Sequence, residues 1–174
     1  MKPFRMQSRV LPASVLLLGI CLAAPGSAAV ESRQDPGPSL PEYVLKAGFI
    51  FNFAKYVEWP AASFETPGTP ISVGIVGADP FGEEIDKVLG VKTVKDRHFV
   101  ILRFREAAEL QRCHILFIPR SEKAHLHEIL KQVDSWPVLT VGEDEGFART
   151  GCAVNILIEK EKPRLEVNPE AAEK

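Results

Sequence analysis

The sequence is poor in the residues that usually announce chemistry. Its 174 residues include three cysteines, two tryptophans, two tyrosines, two methionines and four histidines. Three cysteines are too few for a disulfide-framework mini-protein. Lys and Arg number 21 against 23 Asp and Glu, a net charge of −2. Without a basic excess the chain is unsuited to general nucleic-acid binding, which depends on neutralising phosphates. Apolar residues at 45% and charged residues at 25% are ordinary for a globular protein and exclude a disordered one. A domain of this length buries roughly two-thirds of its unfolded surface, so it folds without a metal or a disulfide network.

Catalytic signatures are missing too. G-x-S-x-G, S-x-x-K and H-E-x-x-H do not occur, so the usual nucleophile and zinc motifs are excluded. His125 and His127 are two apart, about 200° round a helix, and cannot share a ligand face. His98 and His114 lie on expected strands with no acid at ligand spacing, so no metal site is expected. Cys113 directly precedes His114, and neighbours on a strand point to opposite faces, which rules them out as a thiol and its base. Gly74-Ile75-Val76-Gly77 is a fragment of a dinucleotide loop without its third glycine, and Pro80 and Phe81 fill the space a pyrophosphate needs. With no nucleophile, base and anion hole in view, neither an enzyme nor a cofactor is expected.

What is present begins with an address. Lys2, Arg5 and Arg9 precede an apolar run from Val10 to Ala24, followed by Gly26-Ser27-Ala28-Ala29. This is the three-part pattern of an export signal. The run is short for a membrane span, which needs ~20 apolar residues, and Pro25 and Gly26 follow it closely. A cleaved signal over residues 1–29 is expected, cut after Ala28 or Ala29, with an uncleaved anchor as the alternative. Lipid attachment at Cys21 is disfavoured by Ile20 before it. The remaining 145 residues hold 18 basic against 23 acidic groups, because residues 1–29 carry three basic residues and no acid. Residues 30–39, with two prolines and a glycine between Glu31 and Pro38, read as a flexible linker. Residues 40–174 read as one domain.

Ser39 and Glu42 have capping-box spacing, so a helix is expected from about Leu40 to Val57, stopped by Pro60. Tyr43, Val44, Ala47, Ile50, Phe51, Ala54 and Val57 form one apolar stripe on it. Leu45, Phe49, Phe53 and Tyr56 form a second, with Trp59 at its end. One core needs only one stripe. The second either docks a partner or is buried between the sheet and another helix. Beyond it, strands are expected at 71–78, 98–104, 114–118 and 138–141, and helices at 83–89, 107–111 and 122–133, the last capped by Ser121. An antiparallel hairpin over 153–159 and 164–167 and a helix start at Asn168-Pro169 complete the chain. The fold class is α/β: a mixed, mainly parallel sheet flanked by helices, a Rossmann or flavodoxin-like three-layer sandwich with a C-terminal antiparallel hairpin.

Two further expectations concern sites. Ligands in open α/β sheets sit beyond the carboxyl ends of the parallel strands. Here those ends carry Asp79, Phe81, Arg120, Ser121, Glu143 and Phe147, either a recognition rim or ordinary caps and turns. An exported chain meets oxidising conditions, so Cys113 and Cys152 either form one disulfide or stay as two buried thiols.

The segment Tyr43-Val44-Leu45-Lys46-Ala47-Gly48-Phe49-Ile50-Phe51-Asn52-Phe53-Ala54-Lys55-Tyr56-Val57-Glu58-Trp59-Pro60 resembles the opening block of the YfiR/HmsC-type family. Gly77 to Gly82, Cys113 to Glu122, Val138 to Gly142, Gly146 to Ala148, Val154 to Ile156 and Arg164 to Asn168 resemble its later blocks in order. The resemblance implies a periplasmic, non-enzymatic regulator that binds the periplasmic part of an inner-membrane diguanylate cyclase and represses it. Cyclic di-GMP and biofilm formation are thereby limited. An OmpA-type outer-membrane lipoprotein that sequesters the repressor, and a homodimer, are implied as well. The second helix stripe is the expected contact surface: Leu45, Phe49, Phe53, Tyr56 and Trp59. Relatives continue past Asn168-Pro169 into a helix that is nearly absent here, and its loss would expose apolar surface. A periplasmic small-molecule sensor built on the strand-end rim is the alternative.

Overall fold

In the computed structural model, residues 40–160 and 162–173 are described. The expected signal over 1–29 and linker over 30–39 lie outside them.

Seven strands form: β1 (Ile71–Val76), β2 (Thr93–Val94), β3 (Arg97–Phe104), β4 (Ile115–Ile118), β5 (Leu139–Gly142), β6 (Val154–Glu159) and β7 (Lys162–Val167) among the described residues. They form one sheet in the order β2-β3-β1-β4-β5-β6-β7. The five from β3 to β6 are parallel. Taken in chain order, these five run 2-1-3-4-5, the flavodoxin-like doubly wound order. β2 and β7 add antiparallel edges. The expected mixed, mainly parallel α/β sheet with a C-terminal hairpin is therefore present.

Because β1, β4 and β5 are almost wholly buried, alternate side chains feed two cores. On one face Val73, Ile75, Ile115, Phe117, Val141 and Ile156 meet α1 (Leu40–Tyr56) and α2 (Glu84–Leu89). On the other, Val76, Leu116 and Ile118 meet α3 (Leu126–Val133) and α4 (Phe147–Thr150). Tyr43, Ala47, Ile50 and Ala54 recur every three or four residues along α1 and are all buried, the period of one helical face. Burying a side chain such as Ile50 fully is worth about 1.5–3 kcal/mol. The terminal helix α5 (Pro169–Ala172) starts as expected, with Asn168 accepting from the Ala171 N–H at 3.2 Å and Pro169 in the first turn.

Several elements depart from expectation. β2 was invisible in sequence because two residues carry no period. It joins β3 through Lys95 and Asp96, both left-handed at φ 51° and 62°, the conformation of a tight hairpin turn that Gly or Asn usually fills. The expected helix over 122–133 begins only at Leu126, after a 3₁₀ turn at Arg120–Glu122. Ser121 caps nothing, and its hydroxyl turns instead to the Glu122 carboxylate at 3.3 Å.

The disulfide does not form. Cys113 and Cys152 are free and buried in the same core. Cys113 lies just before β4 and Cys152 just before β6, with β5 between them. Two strand spacings are about 9.5 Å, beyond the roughly 7 Å that a disulfide spans between Cα atoms. Desolvation pushes both thiols up to about 12, so neither is a thiolate at neutral pH. We expect neither cysteine to alkylate in the folded protein and both to alkylate fully in denaturant. Gel mobility without reductant should not change on reduction. A peptide map showing a bonded pair would contradict this.

Candidate functional site

α1 lies with its first turns beside the carboxyl ends of the strands, where Glu143 follows β5. The Lys46 side chain has no exposure, and neither has that of Glu143. The ammonium sits 2.6 Å from Glu143 Oε2 and 2.5 Å from Glu42 Oε1, one turn earlier on α1. Glu143 is gathered in from three more directions. Its Oε1 accepts the Arg120 backbone N–H at 2.9 Å and lies 3.4 Å from the Tyr43 hydroxyl, and Arg120 Nε stands 3.9 Å away. Two cations and two carboxylates thus balance within one cluster. Tyr43 is held well above the ordinary phenol range, first by burial and then by the Glu143 charge.

The same corner holds the ring stack that fills the crevice. Tyr43 packs edge-on against Phe81 at 5.2 Å, and Phe81 against Phe117 at 4.7 Å. In a 2-1-3-4-5 sheet the ligand crevice opens between β1 and its neighbour across the switch point, here β4. Phe81 sits after β1 and Arg120 after β4, so aromatic rings and the Lys46 chain stand where a bound ligand would. A phosphate is further discouraged at Gly77. That residue has φ 77°, and a Cβ built on it would meet Glu122 Oε1 at 2.0 Å. A carboxylate therefore covers the second glycine of the dinucleotide-like fragment, and it repels phosphate.

The six rim residues expected from sequence do not converge. Only Glu143, Arg120 and, by way of Tyr43, Phe81 share a corner. Asp79 caps its own turn by accepting from the Phe81 N–H at 2.8 Å and pairs with Arg103 Nε at 2.7 Å. Arg103 also reaches Asp86 and the Gly82 carbonyl, tying β3 to the start of α2. Ser121 is exposed and points at Glu122. Phe147 is 1% exposed in the opposite core, packed so closely that a Cβ on Gly142 would meet its ring at 2.7 Å. Lys46, Glu42 and Tyr43 were missed as site residues. The sequence offered only the spacing, a lysine four residues after a glutamate on α1, and not its burial.

The five residues expected to contact a partner are split. Tyr56 is 79% exposed and Leu45 40%. Phe49, Phe53 and Trp59 are half-buried against the core, with the Phe49 and Phe53 rings 6.2 Å apart. Trp59 donates its indole N–H to the His114 carbonyl at 3.0 Å. Phe53, Tyr56, Val57 and Trp59 border a cleft of about 400 Å³, closed on its far side by Leu139, Val154 and Ala171. Among the described residues no group of three or more His, Cys, Asp or Glu could hold a metal ion, and no helix is long and apolar enough to cross a membrane.

The geometry defines a doubly wound α/β domain whose ligand crevice is filled by its own first helix. The model of the YfiR/HmsC-like family matches residues 43–174. The chain belongs to that family, and membership is consistent with a periplasmic regulator of cyclic di-GMP signalling. No curated protein matches the chain significantly.

Removing one partner of a buried pair costs about 3–5 kcal/mol, because it leaves the other charge uncompensated. Lys46→Met should therefore lower unfolding free energy by that order in urea titrations. The double variant Lys46→Met/Glu143→Gln should recover much of the loss. Two losses that simply add would show that the pair is not coupled.

Proposed function

We propose that this chain is a periplasmic repressor that holds an inner-membrane diguanylate cyclase inactive by binding its periplasmic part, and so limits cyclic di-GMP and biofilm formation. Release by an OmpA-type outer-membrane lipoprotein that competes for the repressor, and assembly as a homodimer, belong to the same reading. Family membership supports a regulatory rather than catalytic role.

The carrying observation is the outer flank of α1. Tyr56 stands almost free in solvent, beside the apolar cleft bounded by Phe53 and Trp59. Large aromatic residues of this kind dominate binding energy at interfaces. The small-molecule sensor gains no comparable support, since its rim is divided and its central charges are already paired with one another.

Truncating exposed residues leaves the fold within about 0.5 kcal/mol, whereas Phe49→Glu places a charge against the core. We expect Tyr56→Ala and Leu45→Asp to keep the native melting temperature and to lose capture of a GGDEF-containing membrane protein by about tenfold or more. Phe49→Glu should lose both. Retained capture by Tyr56→Ala and Leu45→Asp would remove this flank from the interface.

A further inference from the structure

β3 is eight residues long, yet β2 covers only its first two, Arg97 and His98. Before Thr93 the chain turns away, and the Lys92 N–H donates to the Leu89 carbonyl at 3.0 Å. The other side of β3 pairs with β1 from Phe99 to Phe104. Successive residues of a paired strand direct their backbone groups to opposite sides. The Phe104 carbonyl accepts from the Gly77 N–H at 2.8 Å, on the β1 side. Val100 and Leu102 therefore face β1 as well, and Phe99, Ile101 and Arg103 direct their N–H and C=O groups outward. No strand receives them among the described residues.

Both ends of this open stretch are closed. Arg97 is paired with Val94 across the hairpin. The Arg105 N–H, the next outward donor, is taken by Glu109 Oε2 at 2.9 Å. What remains is residues 99–103, symmetric about Ile101. The stretch also lacks the usual guards. Phe99, Val100, Ile101 and Leu102 include no proline and no charge, and Val100 is exposed. An apolar edge left open in this way is a template for a further strand.

The strand that fits it is an antiparallel copy of itself. With a two-fold axis at Ile101, Ile101 opposes Ile101 and Phe99 opposes Arg103, the self-complementary arrangement of a closed dimer. All three outward residues of each copy then donate and accept. Sliding the copies by two residues one way brings Arg103 against Arg97, which β2 already holds. Sliding them the other way brings Phe99 against Arg105, whose N–H is spent. The side chains agree with the central register. Val100 comes to lie across from Leu102 of the second copy, where an open groove of about 670 Å³ runs beside residues 101–104 and 108–111. Arg103 meets an aromatic ring, with its charge already held by Asp79 and Asp86. No like charges stand directly opposed, which would be unfavourable across a sheet.

We propose that the outer edge of β3 is a dimer interface: two copies pair antiparallel through residues 99–103 about an axis at Ile101 and join their sheets. That the chain dimerises at all rests on the function proposed above; the surface and the register follow from β3. Five residues a side make a small contact, so the association should be reversible and concentration-dependent.

The test combines sedimentation with amide exchange by NMR on the purified chain. Over about a hundredfold rise in concentration, protection of the Phe99, Ile101 and Arg103 amides should increase, by up to about tenfold, as mass action depletes the monomer. The Val100 and Leu102 amides, bonded to β1, should not change. Val100→Lys sets a charge against Leu102 of the second copy and should weaken dimerisation by about tenfold or more at an unchanged melting temperature. Ile101→Cys places two thiols across the axis at a Cα separation of about 5.5 Å, within reach of a disulfide. Mild oxidation should cross-link that variant and not the wild type, in which Cys113 and Cys152 are buried. If Val100→Lys does not fold, the exchange and the cross-link decide. Protection of the three amides that is independent of concentration would overturn the proposal. A dimer that ignores Val100→Lys and leaves Ile101→Cys unlinked would overturn this edge while keeping the homodimer. A chain that stays monomeric throughout would remove both. Cyclase capture is a separate readout that none of these results moves.

Discussion

The buried pair of Lys46 and Glu143 sets how α1 lies on the sheet, and most of what is distinctive about the molecule depends on that placement. Apolar contacts alone would let an amphipathic helix slide or rotate with little penalty, because hydrophobic attraction has no direction. An ammonium with no exposure and two carboxylate neighbours does not tolerate such movement. The pair is a modest contributor to net stability, since desolvating both charges offsets much of their attraction. Its effect is on register: Tyr43 meets Phe81, Ala47 and Ile50 meet the sheet, and Trp59 arrives at the foot of β4.

That placement redirects the fold. A 2-1-3-4-5 sheet ordinarily presents a crevice for a nucleotide or a flavin at its switch point. Here the crevice contains Phe81 and Tyr43, and a carboxylate covers Gly77. A scaffold usually employed for small ligands has become solid at its customary site. The apolar surface left over lies on the outer side of the plugging helix, around Tyr56 and the cleft beside it. One apolar stripe of the helix is buried and the other is only partly covered.

Much of this was legible in the sequence. β-branched runs separated by turn residues gave away β1, β4 and β5, and the Asn168-Pro169 cap marked α5 to the residue. The second stripe was legible as an excess but not as a division, because the period of a helix does not say how far a neighbouring element overlaps its flank. Phe49 and Phe53 proved to lean on the core, while Leu45 and Tyr56 did not. The rim was misread for a related reason. Strand ends share an edge of the sheet, yet each side chain there is claimed by its own local partner, as Asp79 is by Arg103. Lys46 was hidden because lysine is so seldom fully buried. The cysteine pair failed on topology: both precede parallel strands, but strand order, which puts β5 between them, cannot be counted along the chain.

The last strand has a consequence for how this protein behaves at high concentration. β7 forms one margin of the sheet, and Pro163 within it has no N–H to offer an incoming strand. Arg164 is engaged with Glu159 and Glu166, so charge and rigidity occupy the same short stretch. A sheet margin so guarded resists the edge-to-edge growth that drives fibre formation. At this margin another chain finds no ready template for an added strand.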